Sequence, residues 1–360
     1  MAEKTGIEWT DATWTPLRTR VKPDAGAIAK AKGYTSLVRI ATSMAGHVGP
    51  HCEHVSGGCD HCYSERNNGR CMPNNGTGLP FDRRARDLVD PFVDEKILRQ
   101  PLKWRKPHMV FVCSQTDLFG EWVTDEDIDR VFAVMASCPQ HTFQVLTKRP
   151  ERMLAYLNRC TELEKMCEVV PQLVAEGLMP PPKERERLRW PLPNVVAMTS
   201  VEDEETAQLR IPILLQTPAA LHGASYEPAL GPVDFAPYLD TASIGQGRPP
   251  KFGSFLDWVI VGGESGPGAR PAHPDWFRSV RDHCQAAGVA FFFKQWGEWA
   301  PCDQLTDVEV ETRRGPVQSE VIAPNGFPTV RAVTCWRIGK RAAGALLDDK
   351  EWKQFPEARA

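Results

Sequence analysis

The sequence has no apolar run of about 18 residues, the length a membrane-spanning helix needs. It also has little net charge: 43 Lys and Arg stand against 46 Asp and Glu, a formal balance of −3. The first absence excludes a helical membrane protein. The second excludes a chain that binds polyanions through its overall field, and leaves nucleic-acid contact to local patches such as Arg83–Arg86, Lys103–Lys106 and Lys183–Arg189. Met1 to Trp14 carries no charged-then-apolar signal pattern, so a cytoplasmic protein with no membrane partner is expected. No segment repeats along the chain. With 42% apolar and 25% charged residues over 360 positions, the composition is that of an ordinary globular enzyme of one large or two average domains.

Cysteine, by contrast, is abundant, at eleven residues. Disulfides are not expected in a reducing compartment. Cys113, Cys138 and Cys284 lie on apolar strand or helix faces and read as small packing residues. Cys160, Cys167, Cys302 and Cys335 are isolated, and Cys71 is a weaker candidate ligand. Cys52, Cys59 and Cys62 differ: they crowd one polar, glycine-containing loop with the spacing C-x6-C-x2-C.

Short apolar runs follow at Met109–Val112, Phe143–Leu146, Val195–Met198, Leu221–Ser225, Trp258–Val261 and Val289–Phe293. Continuous runs of this length suit strands buried on both faces of a parallel sheet. Leu37–Ala41 reads as a possible earlier strand. Between the runs lie helical patterns. Ile128, Val131, Phe132 and Met135 share one face after a Thr124/Asp127 cap. Phe277, Val280 and Cys284 form another stripe, between Pro274 and Gly288. The alternation predicts an α/β fold, first a full or partial (β/α) barrel and second a doubly wound open sheet. One such domain is expected over 1–300, with insertions at about 17–50 and 160–193 and an extension over 301–360. Asp240–Lys251 reads as a Gly/Pro-rich surface loop.

Three thiolates on one loop can hold three irons of a 4Fe–4S cluster, leaving the fourth iron open. Equally, His51, His54 or His61 can join the cysteines around a structural zinc. Polar residues follow each apolar run: Ser114 to Asp117, Thr147 to Arg149, Ser200 to Asp203, Tyr226 and Glu227, Gly262 to Ser265, and Lys294 to Trp296. In parallel α/β folds that end of the sheet forms the active face. Gly262 and Gly263 permit close backbone approach to a ligand, and Glu264 can accept from an ammonium or ribose hydroxyl. Trp9, Trp14, Trp296 and Trp299 are candidates for base stacking, against a core reading for each.

The stretches Ile7–Pro16, Gly58–Tyr63, Asp117–Phe119, Gln144–Pro150, Ser200–Asp203, Glu227–Pro232, Val261–Gly266 and Phe293–Gly297 carry a resemblance. On them the chain resembles a phage-associated family of three-cysteine proteins related to the radical S-adenosylmethionine superfamily. The resemblance implies a radical-type (β/α) barrel and a 4Fe–4S cluster on Cys52, Cys59 and Cys62. It also implies S-adenosylmethionine as cosubstrate, a flavodoxin or ferredoxin type electron donor, and the host cytoplasm as location. The superfamily's commonest loop is C-x3-C-x2-C, and its Gly-Gly-Glu segment follows an early strand. Here Gly262-Gly263-Glu264 comes late, so Ser114–Asp117 is better placed to bind the methionine amino group.

The cosubstrate is expected to contact Ser114, Asp117, Lys148, Ser200, Glu202, Glu227, Gly262, Gly263 and Glu264, gathered in one cavity beside the cysteines. No catalytic residue is assigned. The expected reaction is an isomerisation of an amino-acid adduct on thymidine in phage DNA, with a modified nucleobase as substrate. A radical repair lyase and a non-catalytic, zinc-stabilised nucleic-acid-binding module are the alternatives.

Overall fold

Each apolar run becomes a strand because its residues alternate between two covered faces, and the few polar side chains among them, such as Gln144 and His222, are buried too. The structure, a computed structural model, describes residues 5–71, 75–159, 175, 190–239, 255–304, 319–322 and 332–357. Most of the expected insertion over 160–193, with Cys160, Cys167 and the basic run Lys183–Arg189, lies outside the described residues, as does Asp240–Lys251. The chain divides into two compact units, Met1–Val196 and Ala197–Ala360.

The first unit contains β1 (Ala12–Trp14), β2 (Leu17–Val21), β3 (Val48–Gly49), β4 (Val89–Val93), β5 (Met109–Val112), β6 (Thr142–Thr147) and the start of β7 (Val195–Val201). Its helices are α1 (Ala25–Ala31), α2 (Val38–Ser43), α3 (Tyr63–Gly69), α4 (Arg83–Arg86), α5 (Glu95–Leu98), α6 (Asp125–Ala136) and α7 (Pro150–Arg159). Strands β1, β5 and β6 pair in parallel. The segment read as an insertion over 17–50 is ordered: β2 pairs antiparallel with β3 and β4. Its apolar residues Val21, Ala25, Ala29, Leu37 and Ala41 form a core together with Leu79, Ala85, Leu88 and Val89.

Leu37–Ala41 is not a strand. Val38–Ser43 is helical, with Leu37 as its N-cap residue. Leu37 and Ala41, four apart, are the buried pair. That spacing puts both on one helix face, whereas a strand would have buried alternate residues. α6 follows its sequence pattern: Thr124 Oγ1 accepts from the Asp127 N–H at 3.2 Å, and Ile128, Val131, Phe132 and Met135 are all buried.

The second unit contains the rest of β7, then β8 (Leu221–Tyr226), β9 (Trp258–Gly262), β10 (Ala290–Gln295), β11 (Trp299–Pro301), β12 (Ser319–Ile322) and β13 (Val333–Arg337). Strands β8, β9 and β10 are parallel neighbours. The helix Pro274–Ala287 has Pro274 in its first turn, buries Phe277, Val280 and Cys284, and ends on Gly288 at φ 64°. β11 pairs with β13, and β13 with β12, the last two from the expected extension, whose later residues form a strap along β10. In the strap, Phe293 N–H donates to the Trp352 carbonyl at 2.8 Å and Gln354 N–H to the Phe291 carbonyl at 3.1 Å. Arg278 and Arg281 grip Asp348 and fasten the strap to the helix.

The main sheet runs β1-β5-β6-β7-β8-β9-β10. The order never reverses, as it must at the switch point of a doubly wound sheet, so the class is α/β with the singly wound order that a partial (β/α) barrel has. The four tryptophans are core residues. Trp14 is fully buried and donates to the Ile97 carbonyl, while Trp296 donates to Leu346 and Trp299 to Ala269. Trp9 is buried against Phe111, with ring centroids 4.7 Å apart. Among the described residues no helix is long and apolar enough to cross a membrane.

Candidate metal centre

The cysteine loop enters from β3 and leaves through α3. Gly57–Cys59 makes a single 3-10 turn, and the Cys62 N–H donates to the Cys59 carbonyl at 3.2 Å. Cys62 is the residue on which α3 begins. All three thiols are free and half-buried. They lie close enough that each neighbour's charge disfavours ionisation of the Cys52 thiol. Burial pushes the Cys52 thiol far up, and the Asp117 charge adds to this while Arg149 opposes it. Burial also raises Cys62, against the N–H groups of Glu65 and Ser64, which favour its thiolate. Burial thus disfavours the thiolates of Cys52 and Cys62, a poor arrangement for packing alone. A multiply charged cationic centre is what would stabilise them as thiolates.

The loop is sewn to the residues that follow β5. Tyr63 OH donates to the Ser114 carbonyl, Ser64 Oγ to the Gln115 carbonyl at 2.7 Å, and Thr116 Oγ1 to the His51 carbonyl. The turn after β5 thus carries the loop.

Behind Cys52 lies a buried polar network. Asp117 accepts from Thr147 Oγ1 at 2.7 Å, Phe119 N–H at 3.0 Å, Arg149 Nη1 at 2.9 Å and Lys148 N–H at 3.3 Å. The other edge of the Arg149 guanidinium donates to the Glu53 carbonyl at 3.2 Å. The Glu53 carboxylate receives Arg86 through Nε at 2.6 Å and Nη2 at 2.7 Å, with His51 Nε2 at 3.6 Å. Burial acts to raise the Glu53 carboxyl, but His51 and Arg86 outweigh it and hold the group at about 2. Trp122 fills the centre: Arg149 stacks over its ring at 5.1 Å, and the His51 ring stands edge-on at 4.9 Å.

Among the described residues no three His, Cys, Asp or Glu side chains close on one point as ligands of a single metal ion do. His54 Nε2 is taken up by Glu65 at 2.8 Å, and His51 is wedged between Glu53 and Trp122, so neither is poised as a fourth zinc ligand. A 4Fe–4S cluster asks something different. Each thiolate binds its own iron, so the sulfurs need only face a common volume. An all-thiol donor set on one loop fits that group. Cys71 stands apart, at φ 51°, with its sulfur against Gly78, where a Cβ would come within 2.6 Å.

In the second unit, Glu202, Glu227 and Glu264 each have a cation of their own. Glu202 is paired with Arg210 Nη1 at 3.0 Å, and the same nitrogen donates to the Ser200 carbonyl at 2.8 Å. Glu264 receives Arg270 through Nε at 2.8 Å, Nη2 at 2.7 Å and its backbone N–H at 2.8 Å. Lys294 Nζ pairs with Glu227. Asp117 with Arg149 repeats the theme in the first unit. The charge compensation that buried carboxylates require is therefore supplied within the chain, not left to a ligand ammonium. Gly263 likewise serves the fold: a Cβ there would lie 1.9 Å from the Trp296 carbonyl oxygen. Gly262 has no such conflict, its nearest neighbours standing at 3.5 Å, the Glu227 carboxyl carbon among them. The basic run Arg83–Arg86 is also spent on acids, Arg83 on Glu121, Arg84 on Asp82 and Arg86 on Glu53.

Sequence reasoning missed Glu53, Arg86, Arg149 and Trp122 as supports of the loop. Glu53 adjoins Cys52 and Arg149 follows Lys148, so adjacency to the quoted stretches was the available signal.

A family model described as "Protein of unknown function (DUF5131)" matches residues 41–356. No curated protein matches. No solved structure matches.

Proposed function

We propose that this chain, which belongs to the DUF5131 family, is a radical S-adenosylmethionine enzyme whose Cys52, Cys59 and Cys62 hold three irons of a 4Fe–4S cluster. The observation that carries the reading is the mounting of three free, mutually interacting thiols on one loop, sewn by Tyr63, Ser64 and Thr116 to the residues after β5. When bound, such a cluster supplies one electron to the sulfonium of S-adenosylmethionine, giving methionine and a 5′-deoxyadenosyl radical.

The chain's own residues have three tasks. Cys52, Cys59 and Cys62 present thiolates. The residues after β5 and β6 position the cosubstrate, with Lys148 as the cation for its carboxylate and the Ser114 to Asp117 turn beside its amino group. Trp122 and the Glu53–Arg86 pair keep water out from behind the loop. For the substrate, the resemblance of the quoted stretches supports a modified thymidine in DNA, on which an amino-acid adduct is rearranged from nitrogen to carbon. A flavodoxin or ferredoxin type protein is the proposed donor of the electron.

The test is anaerobic reconstitution of the full chain with iron and sulfide. The expected product is brown, holds about four irons per chain, and releases 5′-deoxyadenosine from S-adenosylmethionine under a reductant. Mass spectrometry on modified thymidine nucleosides and DNA then reads the isomerisation. A colourless protein that takes up zinc and no iron overturns the cluster, and with it the radical chemistry. Cleavage of S-adenosylmethionine without change in any thymidine adduct overturns the substrate alone.

A further inference from the structure

Cys52 differs from its two partners in how it is held. Cys59 and Cys62 sit on a 3-10 turn and at the start of α3, and follow those elements. Cys52 belongs to no helix or strand. Its position is set through its two neighbours in the chain: the His51 carbonyl takes the Thr116 hydroxyl, and the Glu53 carbonyl takes Arg149 Nη2 at 3.2 Å. The Cys52 sulfur itself leans toward that same Glu53 carbonyl, at 3.9 Å. Arg149 also holds Asp117 through Nη1 and stands over Trp122, 5.1 Å from its ring centroid. One planar group therefore joins the cysteine loop, the turn after β5 and the turn after β6. Only a guanidinium has two donor edges in one rigid plane; an ammonium can satisfy one edge but not both.

The position of the charge matters as much as its reach. Asp117 is a buried carboxylate near enough for its charge to act on the Cys52 thiol, and Arg149 is the cation that pairs with it. Removing the guanidinium would leave a buried negative charge beside a centre that already carries three thiolates.

We propose that Arg149 is a positioning residue for Cys52, setting the peptide after that cysteine and shielding the cluster from the Asp117 carboxylate. The inference rests on the cluster reading above. It assigns to Arg149 an effect on reduction potential that a merely structural arginine would lack. A less compensated negative charge near the cluster makes addition of an electron harder, so the midpoint potential falls.

The experiment compares the full wild-type chain with Arg149→Gln, Arg149→Lys and Arg278→Gln, each reconstituted with iron and sulfide. Arg278 belongs to the ion network around Asp348 in the other unit and serves as a control for loss of an ordinary ion pair. Iron per chain, the EPR midpoint potential and thermal unfolding are read for each. Arg149→Gln is expected to bind iron about 10-fold more weakly, the usual effect of removing an outer-shell partner, and to shift the potential negative. Arg149→Lys keeps the charge and loses one edge, so it should recover the potential while iron binding stays weakened. Arg278→Gln should lower thermal stability and leave iron and potential at wild-type values. Wild-type iron content and potential in both Arg149 variants overturn the inference and leave the cluster reading standing. A wild-type chain that takes up no iron overturns both.

Discussion

Ser64 Oγ donates to the Gln115 carbonyl at 2.7 Å, and so anchors the first turn after Cys62 to the end of β5. The bond spans 51 residues of sequence, and the Tyr63 hydroxyl makes the same stitch one residue earlier, to Ser114. Ser64 is buried, so Ser64→Ala leaves a carbonyl without its donor and should cost about 1 kcal/mol in urea unfolding. Half-exposed Tyr63 loses less in Tyr63→Phe. The double variant should lose reconstituted iron faster to a chelator than either single one. Chelation at the wild-type rate would show that the stitches hold the fold and not the centre.

The three loop cysteines and the packing cysteines should separate cleanly. Alanine at Cys52, Cys59 or Cys62 is expected to abolish cluster formation. Alanine at Cys138 or Cys284, both buried in apolar surroundings, should leave iron content unchanged and cost about 1 kcal/mol of stability through the cavity left behind. Loss of iron on Cys284→Ala would contradict the assignment.

How far the sequence could be read follows from the range of each interaction. Val110, Val112, Phe143, Val259 and Ile260 announce buried strands because burial on both faces leaves an unbroken apolar run. The α6 cap and stripe are legible because all their partners lie within one helix. Leu37–Ala41 is ambiguous in sequence because a short, mostly apolar stretch, here interrupted by Arg39, suits either conformation. β2 did carry a signal: Leu17, Thr19 and Val21 turn inward while Arg18 and Arg20 turn out. The supports of the cysteine loop left no signal beyond nearness to the quoted stretches, since Arg149 reaches Glu53 across 96 residues and Arg86 reaches it across 33. No local pattern encodes such pairs.

Acid should loosen the strap along β10. Burial acts to raise the Asp348 carboxyl, but Arg278 and Arg281 outweigh it and hold the group below its ordinary value. A folded-state carboxyl lowered in this way stabilises the fold above the unfolded-state value of about 4, and the contribution disappears as pH falls below that. Asp348→Asn should therefore lower the unfolding temperature at pH 7 and flatten its dependence on pH below about 4. An unchanged acid limb in the variant would assign the effect elsewhere.

Neighbouring glycines should respond differently. Gly263→Ala forces a Cβ against the Trp296 carbonyl and should cost about 3 kcal/mol or more. Gly262→Ala meets ordinary contacts at 3.5 Å and should fold normally. Thermal unfolding reads both. If Gly262→Ala also weakens S-adenosylmethionine binding to the loaded enzyme, the ligand-approach role expected for this glycine pair belongs to Gly262 alone.

The candidate cosubstrate residues should divide in the same way. Glu202→Ala strands the buried Arg210 guanidinium and is expected to cost about 3 kcal/mol or more. Lys148→Ala removes the cation proposed for the cosubstrate carboxylate and should weaken S-adenosylmethionine binding in the loaded enzyme. Equal affinity in wild type and Lys148→Ala, measured by calorimetry, would remove Lys148 from the site.

The strap that runs along β10 has a consequence for the birth of the chain. Lys353 meets Phe293 across 60 positions of sequence. On a ribosome, β10 therefore emerges well before the segment that covers it. Until then its outer row of amides and carbonyls is bare, on a strand containing Phe291, Phe292 and Phe293. A nascent chain paused in that interval presents a sticky sheet margin to its neighbours on the same messenger. Slow translation of the residues that precede the strap thus lengthens the time for which this edge stays uncovered.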